Sequence, residues 1–169
     1  MIYDNLFTNS QIYGMKHKIM DQTDRKILQA LQQDGRMTNQ QLSEVVGVSS
    51  AACWRRTKAM EDAGIIRKYM AVLDAKSVGQ DLCVFTHISL TRHSRENAEK
   101  FSAAARDRAE IQECYAVTGD ADFMLRVMVP DIEAYDKFLE GFLFNIDGIS
   151  QVRSNFALRE IKYDTSLPV

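Results

Sequence analysis

The sequence predicts an α+β fold in two parts, a helical first part and a second part in which strands and helices alternate. Apolar residues between positions 21 and 64 recur at the three- and four-residue spacing of helices. From position 82 onward, runs rich in β-forming residues alternate with amphipathic helices. A chain of 169 residues is long enough for two small domains, which the change of pattern favours.

The charge of the chain is divided unevenly between these parts. Residues 21–70 hold eight Lys and Arg against six Asp and Glu, a net charge of +2, whereas residues 71–169 hold eleven against sixteen, a net charge of −5. The net charge of the whole chain, −2, conceals this difference. A split of this kind indicates that the first part meets a polyanion while the second part has another task.

The composition is that of a globular protein, with 46% hydrophobic and 26% charged residues. No apolar run approaches the roughly 18 residues that cross a bilayer, so no membrane partner is expected. The first twenty residues lack the basic start and continuous apolar block of a secretory signal. We therefore expect a cytoplasmic location.

Neither the cysteines nor the histidines suggest a chemical site. Cys53, Cys83 and Cys114 are odd in number and lack CxxC spacing, so we expect reduced, mostly buried thiols rather than a disulfide or a zinc site. The histidines lie in three separate segments, at His17, His87 and His93. No nucleophile elbow, P-loop, HExxH or dinucleotide fingerprint is present, so we expect neither an enzyme nor a cofactor.

Residues 1–20 contain aromatic side chains without a sustained period, and we interpret them as a flexible N-terminal extension. The pattern then changes to that of a helix. Asp24 lies near its start, Ile27 and Leu28 belong to its apolar stripe, and Gly35 follows as a stop. These features predict the first helix.

Two more helices follow and meet across a very short turn. Thr38 is a natural N-cap and Gly47 a natural end for the second helix. Ser49 is the next N-cap candidate, and no helix breaker appears until Gly64. Two helices joined by a tight turn that contains Gly have the sequence form of a helix-turn-helix, whose second helix enters the DNA major groove.

The third helix has two different faces. Cys53, Thr57 and Met60 share one side and are expected to dock the helix. The other side carries small, aromatic and basic residues, namely Ser50, Ala51, Trp54, Arg55 and Lys58. Small residues let a helix start approach phosphate, and Arg and Lys contact phosphate or guanine. The alternative is a three-helix packing unit whose charged face is only solvated.

The candidate DNA-binding residues surround the turn and the third helix. They are Arg36, Thr38, Ser49, Ser50, Ala51, Trp54, Arg55, Arg56 and Lys58. Trp54 has an alternative role in packing against the scaffold. Arg56 could reach phosphate or pair with an acid such as Glu61 or Glu44. Arg36 could contact phosphate or remain a solvated loop charge.

The segment after Gly64, IIRKYMAVLD, predicts an extended connector, with a linker strand over residues 70–80 and a boundary at Gly79. The helix-turn-helix domain is therefore predicted over residues 21–69. The second domain is predicted over residues 81–169.

The second domain is predicted to have the element order βαββαβ. Its first strand is LCVFTHISL, followed by the helix SRENAEKFSAAARDR with Ser94 as cap. Two strands that meet near Gly119 form a hairpin, EIQECYAVTG and DADFMLRVMVP. The next helix places Ile132, Tyr135 and Phe138 on one stripe, and ISQVRSNFALREIKY is the last strand. This order is the ferredoxin-like split βαβ fold.

Several motifs follow one another along both domains. The first domain contains DRKIL with LQQDGR, then LSEVVGVS, CWRR, MEDAGII and Tyr69. The second contains VTGDADFMLRVMVPDIEAYDKF and IKYDTSLP. Over residues 21–168 this series resembles the Lrp/AsnC family of bacterial and archaeal transcription regulators. The ACWRR segment resembles members with a Pro-Cys-Trp turn, one branch of which responds to cysteine, although Ala52 stands where proline often occurs.

The resemblance implies an N-terminal winged helix-turn-helix that binds DNA and a C-terminal domain that dimerises, often forms larger rings and senses amino acids. It implies effector binding near the hairpin loop, at a subunit interface, on Thr118, Gly119, Asp120 and Asp122. A carboxylate there can hold an ammonium, and loop N–H groups can hold a carboxylate. The alternative is a tight hairpin in which Gly supplies a positive φ and the Asp side chains bond their own backbone.

We therefore expect a sequence-specific, DNA-binding transcriptional regulator that responds to an amino acid. The expected partners are double-stranded operator DNA, the amino-acid effector and further copies of the chain, as a homodimer or an octamer. The alternative function is that of a nucleoid-associated architectural DNA binder without a selective effector.

Overall fold

The computed structural model of the chain describes residues 20–91 and 95–169, and for Arg95 the main chain alone. Several predictions fall on residues outside these ranges. They are the N-terminal extension apart from Met20, the histidines His17 and His93, and the helix cap Ser94. In the described residues no helix is long and apolar enough to cross a membrane.

The chain divides into two compact units. The first holds the described residues up to Ala71 together with Asp164–Val169, and the second holds the described residues of Val72–Tyr163. The last six residues of the predicted second domain, residues 81–169, therefore pack in the first unit. That segment has no periodic pattern, so the sequence alone does not indicate where it packs.

Three helices build the first unit: α1 (Gln22–Gln33), α2 (Asn39–Val46) and α3 (Ser50–Asp62). A capping box begins α1, because the carboxylates of Asp21 and Asp24 each accept the other residue's main-chain N–H, at 2.9 and 3.3 Å. Asp34 caps its end, and Gly35 follows without a positive φ. Gly35 instead provides space, since a Cβ there would lie 3.3 Å from the Tyr69 ring.

The core of the first unit lies between the three helices. Its buried apolar residues are Ile27, Leu28, Ala30, Leu42, Val46, Cys53 and Met60. The predicted docking side of α3 is confirmed for Cys53 and Met60, and Thr57 is half-buried beside them. This packing turns the opposite side of α3 toward solvent.

The connector between the units is not a strand. Residues 67–74 form neither helix nor sheet, and a single 3-10 turn, Lys76–Val78, ends at Gly79 with φ of 72°. The strand predicted over residues 70–80 is therefore not formed within the described part of this chain. The segment has β-forming residues, but a strand needs a neighbour to accept its hydrogen bonds, and no described residue of this chain provides one.

The second unit confirms the βαββαβ order and, with the three helices before it, the predicted α+β fold. Its elements are β1 (Leu82–Leu90), α4 (Arg95–Arg106), β2 (Ile111–Ala116), β3 (Phe123–Val129), α5 (Ile132–Gly141) and β4 (Ile149–Phe156). The four strands lie in the order β2-β3-β1-β4, and all neighbours are antiparallel. This is the ferredoxin-like topology.

The core of the second unit lies between one face of the sheet and the two helices. Along β1 and β3, successive side chains point to opposite faces of the sheet. On the core face, Val84 and Leu125 are fully buried in one cluster with Phe101 of α4 and Phe138 of α5. Ile132 was predicted on the buried stripe of α5, but it is 68% exposed. It is the first residue of the helix, and the buried stripe begins one turn later.

The other face of the sheet carries the alternate residues of the same strands. We call it the open face and define it by Phe85, Tyr115, Met124, Arg126 and Met128. Phe85 and Tyr115 are exposed, and the two methionines are half-buried. The open face therefore combines apolar side chains with one arginine.

Candidate nucleic-acid interface and effector loop

The turn between α2 and α3 is fixed by three local contacts. The Thr38 hydroxyl accepts the main-chain N–H of Gln41 at 3.2 Å, and the Gln41 side chain accepts the N–H of Thr38 at 2.8 Å. Gly47 adopts a φ of 79°, where glycine is favoured. The Ser49 hydroxyl then accepts the N–H of Ala52 at 3.3 Å and starts α3. The sequence therefore fixes where α3 begins and how sharply the chain turns into it.

The outward side of α3 is accessible over its whole length. Ala51, Trp54, Arg55 and Lys58 are exposed, and the predicted loop cation Arg36 is exposed as well. Trp54 retains 59% of its surface in solvent. Among the described residues, neither Arg55 nor Arg36 has an acidic side chain within ion-pair distance.

Ser50 lies partly behind this surface. Its side chain is half-buried, and its hydroxyl donates to Gln40 Oε1 at 3.3 Å. Ser50 therefore links the start of α3 to α2. Its hydroxyl is therefore less available to DNA than the exposed side chains of Arg55 and Lys58.

Arg56 points toward α1 rather than toward solvent. Its Nη1 donates to Asp21 Oδ2 at 2.7 Å and to Asp24 Oδ1 at 2.8 Å. Hydrogen bonds to Asp24 and Asp21 raise the pKa of Arg56. The main-chain N–H of Asp24, and after it Arg56, lowers the pKa of the Asp21 carboxyl below its usual 3.8. The pairing with Glu61 or Glu44 considered from the sequence is wrong, because the nearest acids come from another helix.

Lys58 is exposed but not isolated. Its Nζ lies 3.1 Å from Asp62 Oδ1 and 3.7 Å from Glu61 Oε2, one helical turn along α3. The hydrogen bond with Asp62 raises the pKa of Lys58. Ion pairs this exposed contribute little to stability, so phosphate can replace these carboxylates.

Trp54 has contacts on one edge and solvent on the other. The indole lines a small cavity of about 190 Å³ together with Leu31, Met37, Thr57 and Tyr69. The Thr57 hydroxyl oxygen is buried there and has no hydrogen-bond partner among the described residues. The indole therefore borders the scaffold at this cavity and still presents 59% of its surface to solvent.

Tyr69 is a structural residue that the helical pattern does not reveal. Its hydroxyl donates to Glu61 Oε1 at 3.0 Å, and its ring packs on Gly35. Burial and the Glu61 carboxylate raise the pKa of this phenol. Tyr69 thus fastens the start of the connector to the helices, and its sequence signal was its place among the motifs that carry the family resemblance.

The hairpin loop between β2 and β3 contains the predicted effector residues. Thr118, Gly119 and Asp120 are exposed at its tip. Gly119 adopts a φ of 115°, as the hairpin interpretation requires, and a Cβ there would meet no atom within 4 Å. The main-chain oxygen of Asp120 accepts the Ser89 hydroxyl at 3.2 Å, which holds the tip against β1.

Asp122 lies deeper and supports the loop. Its Oδ2 accepts the main-chain N–H of Leu90 at 2.8 Å, and its own N–H donates to the Ile88 oxygen at 2.9 Å. The tight-hairpin interpretation expected this carboxylate to accept a main-chain N–H, and it does. The N–H belongs to Leu90 of β1, however, and not to the loop. Asp122 and Asp120 are thus placed differently: one supports the loop and the other is presented at its surface.

The cysteines and acidic side chains form no further site. Cys53 is buried, and burial raises the pKa of its thiol. Cys83 is half-buried and Cys114 is exposed, so the expectation of mostly buried thiols is wrong for Cys114. In the described ranges, no three His, Cys, Asp or Glu side chains are grouped so that they could hold a metal ion.

Comparison with known proteins matches both units. Residues 20–67 match the model of a winged helix-turn-helix DNA-binding domain, and residues 83–167 match the Lrp/AsnC ligand binding domain. The chain is 36% identical over 151 residues to the DNA-binding transcriptional activator DecR of Escherichia coli K12, with 89% of this chain and 99% of the relative covered. It is 38% identical over 152 residues to the leucine-responsive regulatory protein of Salmonella typhimurium, with 90% and 93% covered.

A solved structure shows the same likeness. A transcriptional regulator from Neisseria meningitidis, crystallised in complex with L-Met, superposes with a TM-score of 0.83 at 42% identity, over 88% of this chain and 96% of that one. The matched segments include the α2–α3 turn and the hairpin loop. This chain belongs to the Lrp/AsnC family and is a DNA-binding transcriptional regulator with a ligand-binding domain.

Proposed function

We propose that this regulator contacts operator DNA with the outward side of α3, and that an amino acid bound at the hairpin loop controls the binding. The observation that carries the DNA contact is Arg55, whose exposed guanidinium has no acidic partner in the described residues. A guanidinium can bond two acceptors of a guanine or a phosphate at once. On a helix that follows a short capped turn, this side chain is held at a fixed position.

The start of α3 adds a second attraction for DNA. Its first turn contains no acidic residue, so the positive end of the helix dipole is not neutralised. Ala51 is small and exposed, which lets the helix backbone approach phosphate. The hydroxyls of Thr38 and Ser49 act as acceptors in their caps and keep an O–H that can donate to a phosphate oxygen.

The other basic residues are given different roles. Lys58 and Arg36 are proposed as phosphate contacts, because both are exposed and neither has a buried partner. The exposed side of Trp54 is proposed to contact a sugar or a thymine methyl group. Arg56 is left out of the interface, because it holds α3 on α1.

The effector is proposed to be an amino acid. The support is the ligand-binding family match, the L-Met complex of the Neisseria regulator and the name of the leucine-responsive relative. Asp120 is proposed to hold the ammonium group, with Thr118 and the N–H groups near Gly119 on the carboxylate. Asp122 is proposed to act indirectly by keeping the loop on β1.

The active form is proposed to be a homodimer that pairs two open faces. Phe85 and Tyr115 are 37% and 51% exposed on that face, and large apolar side chains grouped on a surface favour association. A second copy of the chain would cover them. A larger ring, such as an octamer, would use further surfaces of the dimer.

A second candidate is an architectural DNA binder without a selective effector. It needs the α2–α3 turn but no ligand at the hairpin loop, and the exposure of Thr118, Gly119 and Asp120 at the loop tip favours it. In either case we propose that the chain acts by binding, not by catalysis, and that it works on DNA in the cytoplasm.

The DNA proposal can be tested without knowing the operator. Selection from a pool of random duplexes by the full chain is expected to yield a pseudo-palindrome, with half-sites roughly 34 to 36 Å apart, one duplex turn. A selected pool with no shared sequence would favour the architectural candidate. Failure to retain any duplex would contradict both.

The effector proposal can be tested by thermal shift with each of the twenty amino acids, with and without a selected duplex. Stabilisation by one or a few amino acids, together with a change in DNA affinity, is expected of the regulator. Equal behaviour with all twenty would favour the architectural candidate.

A further inference from the structure

The last six residues of the described chain, Asp164–Val169, pack on α1 of the first unit although they follow the last strand of the second unit. We call them the returning segment. They form neither helix nor strand. Their position is therefore set by contacts with α1, and these contacts are specific.

Two glutamines of α1 hold the main chain of the returning segment. The Gln32 side chain donates to the Leu167 oxygen at 3.0 Å and accepts the Leu167 N–H at 2.6 Å. The Gln29 side chain donates to the Val169 oxygen at 2.8 Å. A carboxamide is suited to this task, because it carries a donor and an acceptor side by side. Gln29 and Gln32 are three residues apart, so they lie on the same side of α1.

An apolar contact and a local turn complete the docking. Val169 packs against the buried cluster that contains Ile27 and Met60. Before it, the Ser166 N–H donates to Asp164 Oδ1 at 2.8 Å, a side-chain turn that redirects the chain. The returning segment is thus turned, hydrogen-bonded and anchored at its end within six residues.

The residue before this segment is fastened to the second unit. The guanidinium of Arg126 on β3 lies 5.1 Å from the centre of the Tyr163 ring, which is a cation–π contact. Tyr163 therefore contacts the sheet, whereas Leu167 is hydrogen-bonded to α1. The chain connects the two units twice, once at residues 71–72 and again at residues 163–164.

We propose that the α1 surface around Gln29 and Gln32 is a docking site for the chain's own returning segment, and that this second connection restrains the DNA-binding unit. The docked segment leaves the outward side of α3 uncovered, since Trp54 and Arg55 are exposed with it in place. Docking therefore acts as a restraint and not as a block on DNA contact. A restrained unit loses less freedom when it binds DNA.

Hydrogen–deuterium exchange on the full chain tests the docking itself. The Leu167 amide is expected to be protected, and Gln32→Ala is expected to reduce that protection by about two- to tenfold for each hydrogen bond removed. Gln33→Ala is the matched control, because Gln33 is exposed on the same helix and makes no hydrogen bond with the returning segment. Equal exchange at Leu167 in the wild type and in Gln32→Ala would overturn the proposal.

A mixing experiment establishes whose segment occupies the site. Subunits carrying Gln29→Ala and Gln32→Ala are labelled with ¹⁵N and mixed with unlabelled wild-type subunits. Docking within one chain predicts that only the unlabelled segment is protected. Protection of the labelled segment would mean that it docks on another copy, and would overturn docking within the chain.

Affinity for a selected duplex tests the restraint. The Gln29→Ala, Gln32→Ala double variant is expected to bind the duplex about three- to tenfold more weakly than wild type and the Gln33→Ala control, because its DNA-binding unit must be ordered at the moment of binding. Unchanged affinity would overturn the restraint. If no duplex binds the wild type, the proposed DNA contact fails, whereas the exchange result still decides the docking.

Discussion

At the scale of single residues, Arg55 and Arg56 show how neighbours on a helix take opposite roles. Consecutive residues of an α-helix point about 100° apart, so one guanidinium faces solvent while the other meets the start of α1. From the sequence, Arg56 could reach phosphate or pair with an acid. The sequence does not indicate which acid is the partner, because that depends on how α1 packs against α3.

The structural role of Arg56 predicts a loss of stability on its removal. Arg56→Ala should lower the free energy of unfolding by about 1 to 2 kcal/mol, because Oδ1 of the buried Asp24 loses its donor and only Oδ2 keeps one, the Asp21 N–H. Lys26→Ala, an exposed substitution on α1, is the control and should have little effect. Urea denaturation measures both. Equal midpoints for the two variants would contradict the role of Arg56.

The same ion pair predicts a pH dependence. The pKa of Asp21 is lowered in the folded state, so its contribution to stability is present above the usual value of 3.8 and is lost as the pH falls through the lower, folded value. The difference in stability between wild type and Arg56→Ala should therefore shrink below about pH 4 and stay constant between about pH 5 and 7, where the contribution is fully present. A difference that grows on acidification would contradict this assignment.

The two aspartates of the hairpin loop predict separable effects. Asp120→Asn should remove stabilisation by the amino acid that emerges from the thermal-shift screen and leave the melting temperature of the free protein unchanged, because the side chain is exposed. Asp122→Ala should lower that melting temperature by several degrees, roughly the effect of 1 kcal/mol, because the Leu90 N–H loses its acceptor. A lower melting temperature in Asp120→Asn, together with loss of the amino-acid response alone in Asp122→Ala, would contradict the proposed roles.

At the scale of elements, the helix boundaries around the turn were predictable because they depend on neighbours in sequence. Thr38, Gly47 and Ser49 each act through a residue three or four positions away. The connector was not predictable in the same way, since its apolar residues have no neighbouring strand among the described residues. The returning segment was missed because only the partners Gln29 and Gln32, about 135 to 140 positions away, define it.

The cap of α3 offers a test that separates stability from DNA contact. Ser49→Asp and Ser49→Asn should both preserve stability to within about 0.5 kcal/mol, since Asp and Asn are good N-caps. Ser49→Asp should bind a selected duplex more weakly than Ser49→Asn, because it places a negative charge where phosphate is expected. Denaturation and gel-shift titrations check the two parts. Equal DNA affinity for the two variants would place Ser49 away from the duplex.

At the scale of the whole molecule, the uneven charge corresponds to two tasks. The basic stretch, residues 21–70, contains α3 with its exposed Arg55. The acidic stretch, residues 71–169, contains the sheet and the hairpin loop. Sequence reasoning could predict this division and the order of elements, because both follow from local patterns. It could not predict the open face as a surface, because Phe85 and Tyr115 come together only when β1, β3 and β2 pair.

The open face predicts the effect of a charge on assembly. Phe85→Glu should convert the proposed dimer to a monomer, because a carboxylate loses its hydration when it is buried at an interface, and Arg126 opposite position 85 is already paired with Glu113. Ile132→Glu is the control, since Ile132 is an exposed apolar residue on the helical layer, away from the open face. Sedimentation velocity measures both. A Phe85→Glu variant with the wild-type sedimentation coefficient would locate the dimer contact elsewhere.

The central claim is that the outward side of α3 contacts DNA, and the salt dependence of binding tests it most directly. For Arg55→Ala, the slope of log K against log salt should decrease by about 0.9 for each phosphate that the arginine no longer neutralises, and affinity should fall at every salt concentration. Arg25→Ala removes an exposed arginine from α1 and should leave the slope unchanged. The wild-type slope in Arg55→Ala, or an equal reduction in Arg25→Ala, would contradict the account.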